Sequence, residues 1–174
     1  MSNINKSKRE AWLAERRRGI GASEVSAILG VDPRRGPLSV YADKVAGKDS
    51  ADDSSWLAFG RDVEGAIAKA YAFRTGREII DLDPHEVIRH PDVPILGATP
   101  DRKVLGSDNY PAPYPDKPGT LELKAVGFHK SSDWHEAPPL QYVIQTQVQM
   151  AVTGSLWGSL GALMGGIHVA EPVD

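Results

Sequence analysis

The spacing of apolar residues changes period at Thr75-Gly76, and that change confines the chain to a mixed α/β architecture. Before it, Trp56, Phe59, Val63, Ile67, Ala70 and Tyr71 recur at helical spacing, which predicts a long helix over 56–74. After it, short runs over 78–82, 86–90, 96–98 and 102–105 are separated by proline and glycine and read as strands. A loop over 106–119 carries Pro111, Pro113, Pro115 and Pro118. A strand over 120–126 follows, then Pro138-Pro139 introduces a helix over 140–152. A terminal hairpin over 156–164 and 167–170 turns at Gly165-Gly166.

Upstream, a first helix is expected over 7–18, followed by a turn at Gly19-Ile20-Gly21-Ala22. Ser23 has the chemistry of an N-cap for a short helix over 24–29 closed by Gly30. A loop over 31–37, a short helix over 39–45 ended by Gly47, and a polar linker over 48–55 complete this part. Helices, an antiparallel meander, a helix and further strands together predict an α/β fold, a mixed sheet flanked by helices. A chain of 174 residues fits one domain, with 1–55 as a helical part and 56–174 as its core.

The chain has no cysteine, so disulfides and thiolate metal sites are excluded and a reducing cytoplasm is the expected setting. His85, His90, His129, His135 and His168 show no close ligand spacing, so any metal site must be built from oxygens, which favours Mg2+ or Mn2+. No apolar run approaches the roughly 20 residues of a membrane helix, and the charged N-terminus has no apolar stretch behind it to serve as a secretory signal. The net charge of −3 argues against a surface coated in basic residues. Basic residues concentrate in Lys6, Lys8, Arg9, Arg16, Arg17 and Arg18, either as a solvated helix face or as one wall of a nucleic-acid groove.

Five constellations carry chemistry. In a strand over 120–126, side chains alternate, so Glu122 and Lys124 share one face, as an ordinary surface pair or as a metal ligand beside a cation. Asp101 follows Pro100 at a strand start, as turn chemistry or as a second carboxylate brought beside Glu122 by pairing of the two strands. Glu64 lies at the edge of the apolar stripe of the long helix, next to an arginine or to a cation. On the helix over 140–152, Tyr142, Gln145 and Gln149 form one polar face. Arg16 and Ser23 flank the basic turn at the start of the short helix and suit a phosphate.

In order, these residues form a string: Trp12, Arg16, Arg18-Gly19-Ile20-Gly21-Ala22-Ser23, Phe59-Gly60-Arg61-Asp62-Val63-Glu64 and Thr75-Gly76. It continues through Ala98-Thr99-Pro100-Asp101, Leu121-Glu122-Leu123-Lys124, Tyr142, Gln145, Gln147 and Val152-Thr153-Gly154. This string resembles the YqaJ-type viral recombinase family, the phage lambda exonuclease-like branch of the PD-(D/E)xK nucleases, from Trp12 to about Gly166. The resemblance implies a restriction-endonuclease-like mixed sheet and a 5′-to-3′ exonuclease acting on duplex DNA ends. Asp101, Glu122 and the backbone carbonyl of Leu123 would bind Mg2+, with Mn2+ as a substitute, and Glu64 would help hold a second ion. Lys124 would orient and help deprotonate the attacking water, Gln145 would support that arrangement, and Arg16 with Ser23 would grip the 5′-phosphate.

It further implies a single-strand annealing protein as partner, a homo-oligomer (a trimer in relatives), no membrane, and a bacterial cytoplasm of phage or prophage origin. Two departures stand out. Arg102 follows Asp101 where the family often has glycine, and the chain is expected to be short at its C-terminal end. An endonuclease or end processor on the same fold, and a non-catalytic DNA-end-binding remnant, remain open alternatives.

Overall fold

The computed structural model describes the backbone of residues 3–46, 55–165 and 168–169, and side chains within 7–46 and 59–165. The linker expected over 48–55 lies outside the described residues, save for Ser55. Helix α1 covers Asn3–Arg17, strand β1 Ile20–Gly21, helix α2 Ala22–Ile28, helix α3 Pro37–Ala46 and helix α4 Ser55–Thr75. Strands β2 (Ile79–Asp81), β3 (Ile88–Arg89), β4 (Leu96–Ala98), β5 (Arg102–Val104) and β6 (Gly119–Val126) follow. A 3-10 segment over Phe128–Trp134 leads to helix α5 (Leu140–Thr153), and strands β7 (Gly158–Met164) and β8 (His168–Val169) pair as a hairpin.

The main sheet has the order β2-β5-β6-β7-β8 and is mixed. Its β2, β5 and β6 pair antiparallel, and β6 pairs parallel with β7 across α5, the crossover that parallel neighbours require. A second, three-stranded sheet has the order β1-β4-β3. Its β1 differs from the expected turn over 19–22: Ile20 and Gly21 pair in parallel with Leu96 and Gly97. Gly19 is required there by close approach, because a Cβ on it would stand 2.3 Å from the Ile95 carbonyl oxygen.

Helix α4 covers one face of the main sheet. Ile67 and Tyr71, on its inner side, pack with Leu121, Leu123, Val104 and Trp157 to form the larger apolar core. The helix ends where Gly76 adopts φ +67°, a left-handed conformation glycine takes without steric cost. Arg77, next in the chain, is buried beneath Trp157, and donates to the Tyr110 carbonyl (3.0 Å) and the Tyr71 hydroxyl (2.7 Å), pinning the proline-rich loop to the core. Helix α5 covers the other face and also touches α2 and β4. Among the described residues, no helix is long and apolar enough to cross a membrane.

Leu121 is fully buried between β6 and α4. Leu121→Ala is expected to lower unfolding stability by about 2–5 kcal/mol, since the lost contacts and the cavity both count. A urea titration followed by circular dichroism measures this, and a change below about 1 kcal/mol would mean that the core can collapse around the gap.

Candidate active site

Strand β6 alternates as its sequence implies. Leu121 and Leu123 turn into the α4 core, while Glu122 and Lys124 face α5. A carboxylate as buried as Glu122, 2% exposed, is costly unless its oxygens are satisfied. Gln145 Nε2 donates to Oε1 (2.6 Å), Gln149 Nε2 donates to Oε2 (2.5 Å), and the Lys124 ammonium is held against Oε1. The polar face of α5 is therefore a cradle for this one acid. Gln149, visible in the sequence as part of that face, makes as close a contact as Gln145. Its Oε1 is buried and accepts no hydrogen bond among the described residues.

Asp101 precedes β5, and the pairing of β5 with β6 ends at Arg102 opposite Leu121. Beyond that point Asp101 Oδ2 accepts the hydrogen bond of the Leu123 N–H (2.7 Å), so its carboxylate continues the ladder. The expected pairing across the proline-rich loop thus brings Asp101 beside Glu122. Burial, and then the nearby Glu122 carboxylate, push the Asp101 carboxyl well above the usual aspartate range; Glu64 adds to this, while Lys124 and the Leu123 N–H oppose it. Burial works against charge on Lys124, but Glu122 and Asp101 outweigh it and hold the ammonium above its ordinary value. The ammonium also lies 5.1 Å from the centre of the Tyr142 ring, which is stacked on Trp134.

A buried carboxyl whose proton affinity is raised by a neighbouring carboxylate, as that of Asp101 is by Glu122, is the electrostatic condition a divalent cation relieves. The Leu123 carbonyl points to the same strand edge as its N–H, toward Asp101, because both groups of a strand residue face one neighbour. Among the described residues no three His, Asp or Glu side chains gather as a metal cluster. The donor set is therefore two carboxylates and a carbonyl, and it suits an ion such as Mg2+ that keeps several waters.

Glu64 reaches the same cleft but is already engaged. Arg102 Nη1 donates to Glu64 Oε1 (2.7 Å) and to the Asp101 carbonyl (2.5 Å), and Arg102 Nε lies 2.7 Å from Asp81 Oδ1. In the sequence Arg102 stood out only as a departure from the family pattern.

The N-terminal residues differ from expectation in one respect. Ser23 is not the N-cap of α2; Gly21 is, with extended backbone, and its N–H donates to Glu24 Oε2 (2.8 Å). Pairing of Gly21 in β1 fixes the boundary, so the helix starts at Ala22 and Ser23 lies inside its first turn. Glu24 also pairs with Lys44 (2.8 Å), so the positive end of this seven-residue helix is met from within the fold. Any phosphate contact in this part rests on the Ser23 hydroxyl and the Arg16 guanidinium, which lies 4.7 Å from the centre of the Trp12 ring. Trp12 in turn donates to Thr99 Oγ1 (3.2 Å), two residues before Asp101. Arg16, Ser23, Glu64, Asp101, Gln145 and Gln149 all line one open cleft of about 220 Å³, with Glu122 beneath it.

Comparison with known proteins identifies the family and the fold. Residues 11–155 match the model of the YqaJ-like viral recombinase domain. YqaJ of Bacillus subtilis (strain 168) is 30% identical over 148 residues, covering 84% of this chain and 43% of YqaJ, so the chain spans less than half the length of that relative. A crystal structure of LHK-Exo, an alkaline exonuclease from Laribacter hongkongensis, matches with TM-score 0.66 and 22% identity over 94% of this chain and 81% of its own. The same enzyme in complex with dAMP matches with TM-score 0.68 and 21% identity over the same shares. At that identity the structural likeness establishes the fold.

Proposed function

This chain belongs to the YqaJ-like viral recombinase family, and from that premise we propose that it is a metal-dependent deoxyribonuclease degrading linear duplex DNA from its 5′ ends. The observation that carries the proposal is the convergence of Asp101, Glu122 and Lys124 at one end of the β5–β6 pairing, on a cleft also lined by Arg16 and Ser23. On this reading Asp101, Glu122 and the Leu123 carbonyl hold Mg2+ or Mn2+. Such an ion supplies Lewis-acid stabilisation of phosphate charge and makes water a better nucleophile. Gln145 and Gln149 keep the Glu122 carboxylate fixed, and Lys124 orients the attacking water and places a positive charge beside the phosphate as its charge builds. A 3′-tailed product then passes to a single-strand annealing protein in the bacterial cytoplasm.

The deciding experiment incubates end-labelled linear and closed circular duplexes with Mg2+. Loss of the linear form alone is expected. Cutting of circles would make the chain an endonuclease, and binding without cutting would make it an end-binding module.

The cleft also predicts a preference for the chemical state of the end. A terminal phosphate dianion carries more charge and more unesterified oxygens than an internal phosphodiester, which suits a guanidinium beside a hydroxyl. Duplexes with 5′-phosphate are expected to be degraded faster than those with 5′-hydroxyl, and Arg16→Ala to remove most of the difference. One charge-assisted contact is worth roughly 1.5–3 kcal/mol, hence a preference on the order of tenfold or more. Equal rates on both ends below saturation would remove Arg16 from phosphate recognition.

A further inference from the structure

Arg102 meets three oxygens from three parts of the fold: it donates to Glu64 on α4 and to the Asp101 carbonyl just before β5, and forms an ion pair with Asp81 on β2, the antiparallel partner of β5. Its side chain is 17% exposed, so this charge is shielded from salt far more than a surface arginine would be. It borders the same cleft as Asp101 and Glu64. Building on the nuclease reading above, we infer that Arg102 takes the place of a second cation: one divalent ion is held by Asp101 and Glu122, and the guanidinium supplies the other positive charge to the phosphate.

Glu64 is the carboxylate in this cleft that neither β5 nor β6 provides, and a second ion would have to draw on it. To do so the ion would displace a guanidinium 2.7 Å from the Glu64 oxygen, or sit beside it against like charge. The pair is also well made, a charge-assisted hydrogen bond between two groups positioned by different elements. The guanidinium suits the task it would inherit. It is planar, permanently charged and has donors matched to phosphate oxygens. Nη1 is held by the Glu64 and Asp101 oxygens, whereas Nε meets Asp81 as an ion pair without a formed hydrogen bond, and Nη2 makes no hydrogen bond to the described residues. Glu64 is then a positioning residue for Arg102.

The test counts Mn2+ bound per chain, by paramagnetic resonance of the free ion and by calorimetry, on the full chain without DNA. One tightly bound Mn2+ is expected for the wild type, for Arg102→Lys and for Glu64→Gln. Two are expected for Arg102→Met, in which Glu64 is released. Two ions in the wild type, or a single ion in a folded Arg102→Met, would overturn the inference. Should Arg102→Met lose its helical circular dichroism, the other pair decides: equal counts of one in the wild type and Glu64→Gln uphold it, and a loss of one ion in Glu64→Gln overturns it. Asp101→Asn separates the two levels of the argument. Mn2+ binding that survives this change would sink the nuclease metal site itself, whereas two ions that it removes would sink only the role of Arg102.

Discussion

Lys124→Ala is expected to slow phosphodiester cleavage by about 10²- to 10³-fold, the effect of removing one preorganised charge aimed at a transition state. The ammonium is well placed for this. Glu122 and Asp101 keep it protonated despite burial, the Tyr142 ring lies against it, and Trp134 backs that ring. Duplex affinity is expected to stay within about threefold, because it is spread over many phosphate contacts. Single-turnover cleavage, and equilibrium binding with Ca2+ in place of Mg2+, measure the two quantities separately. A variant with near-normal turnover would return Glu122 and Lys124 to the status of a structural ion pair within β6.

Excess chelator is expected to stop cleavage outright, and Mg2+ or Mn2+ to restore it. Charge stabilisation of several kcal/mol is at stake, and roughly 4 kcal/mol already corresponds to roughly 10³ in rate. Ca2+ should bind and protect the site without supporting turnover, since it accepts looser geometry and more ligands than Mg2+. The donor set offers two carboxylates and a carbonyl with no histidine and no cysteine, which is why a chelated sample has no softer metal to fall back on. Full activity in chelator would remove the metal mechanism, and would shift attention to the cationic side chains Lys124 and Arg102.

What could be read from the sequence followed the length of each signal. Helix α4 and strand β6 carry enough periodic residues to declare their inner faces, so Glu122 and Lys124 could be placed together before any coordinates. The same holds for Gln145 and Gln149 on α5. Strand β1 could not be read, because two residues, one of them glycine, have no period and their partner, β4, is far along the chain. Missing β1 moved the cap of α2: Ser23 has better intrinsic cap chemistry, but ladder pairing placed Gly21 at the boundary. The usable signal was Gly21 followed three residues later by Glu24, a capping pattern with glycine in first position. The 3-10 segment over Phe128–Trp134 has no apolar spacing to announce it. Arg102 was visible only as an unexpected residue, since its partners Glu64 and Asp81 belong to elements whose meeting is a property of the tertiary fold.

Strand β1 also joins two tasks that the chain order keeps apart. Through it, Arg16 and Ser23 are connected to β4 by backbone ladder, and β4 runs within a few residues into Asp101. Trp12 adds a second tie at Thr99. If the end of a strand is seated at Arg16 and Ser23, the distance from that end to the bond being cut is set by stiff backbone rather than by a hinge. A nuclease so built would work as a gauge, releasing fragments of one length whatever the base sequence. Loosening the β1–β4 ladder would leave the chemistry in place and make the fragments uneven.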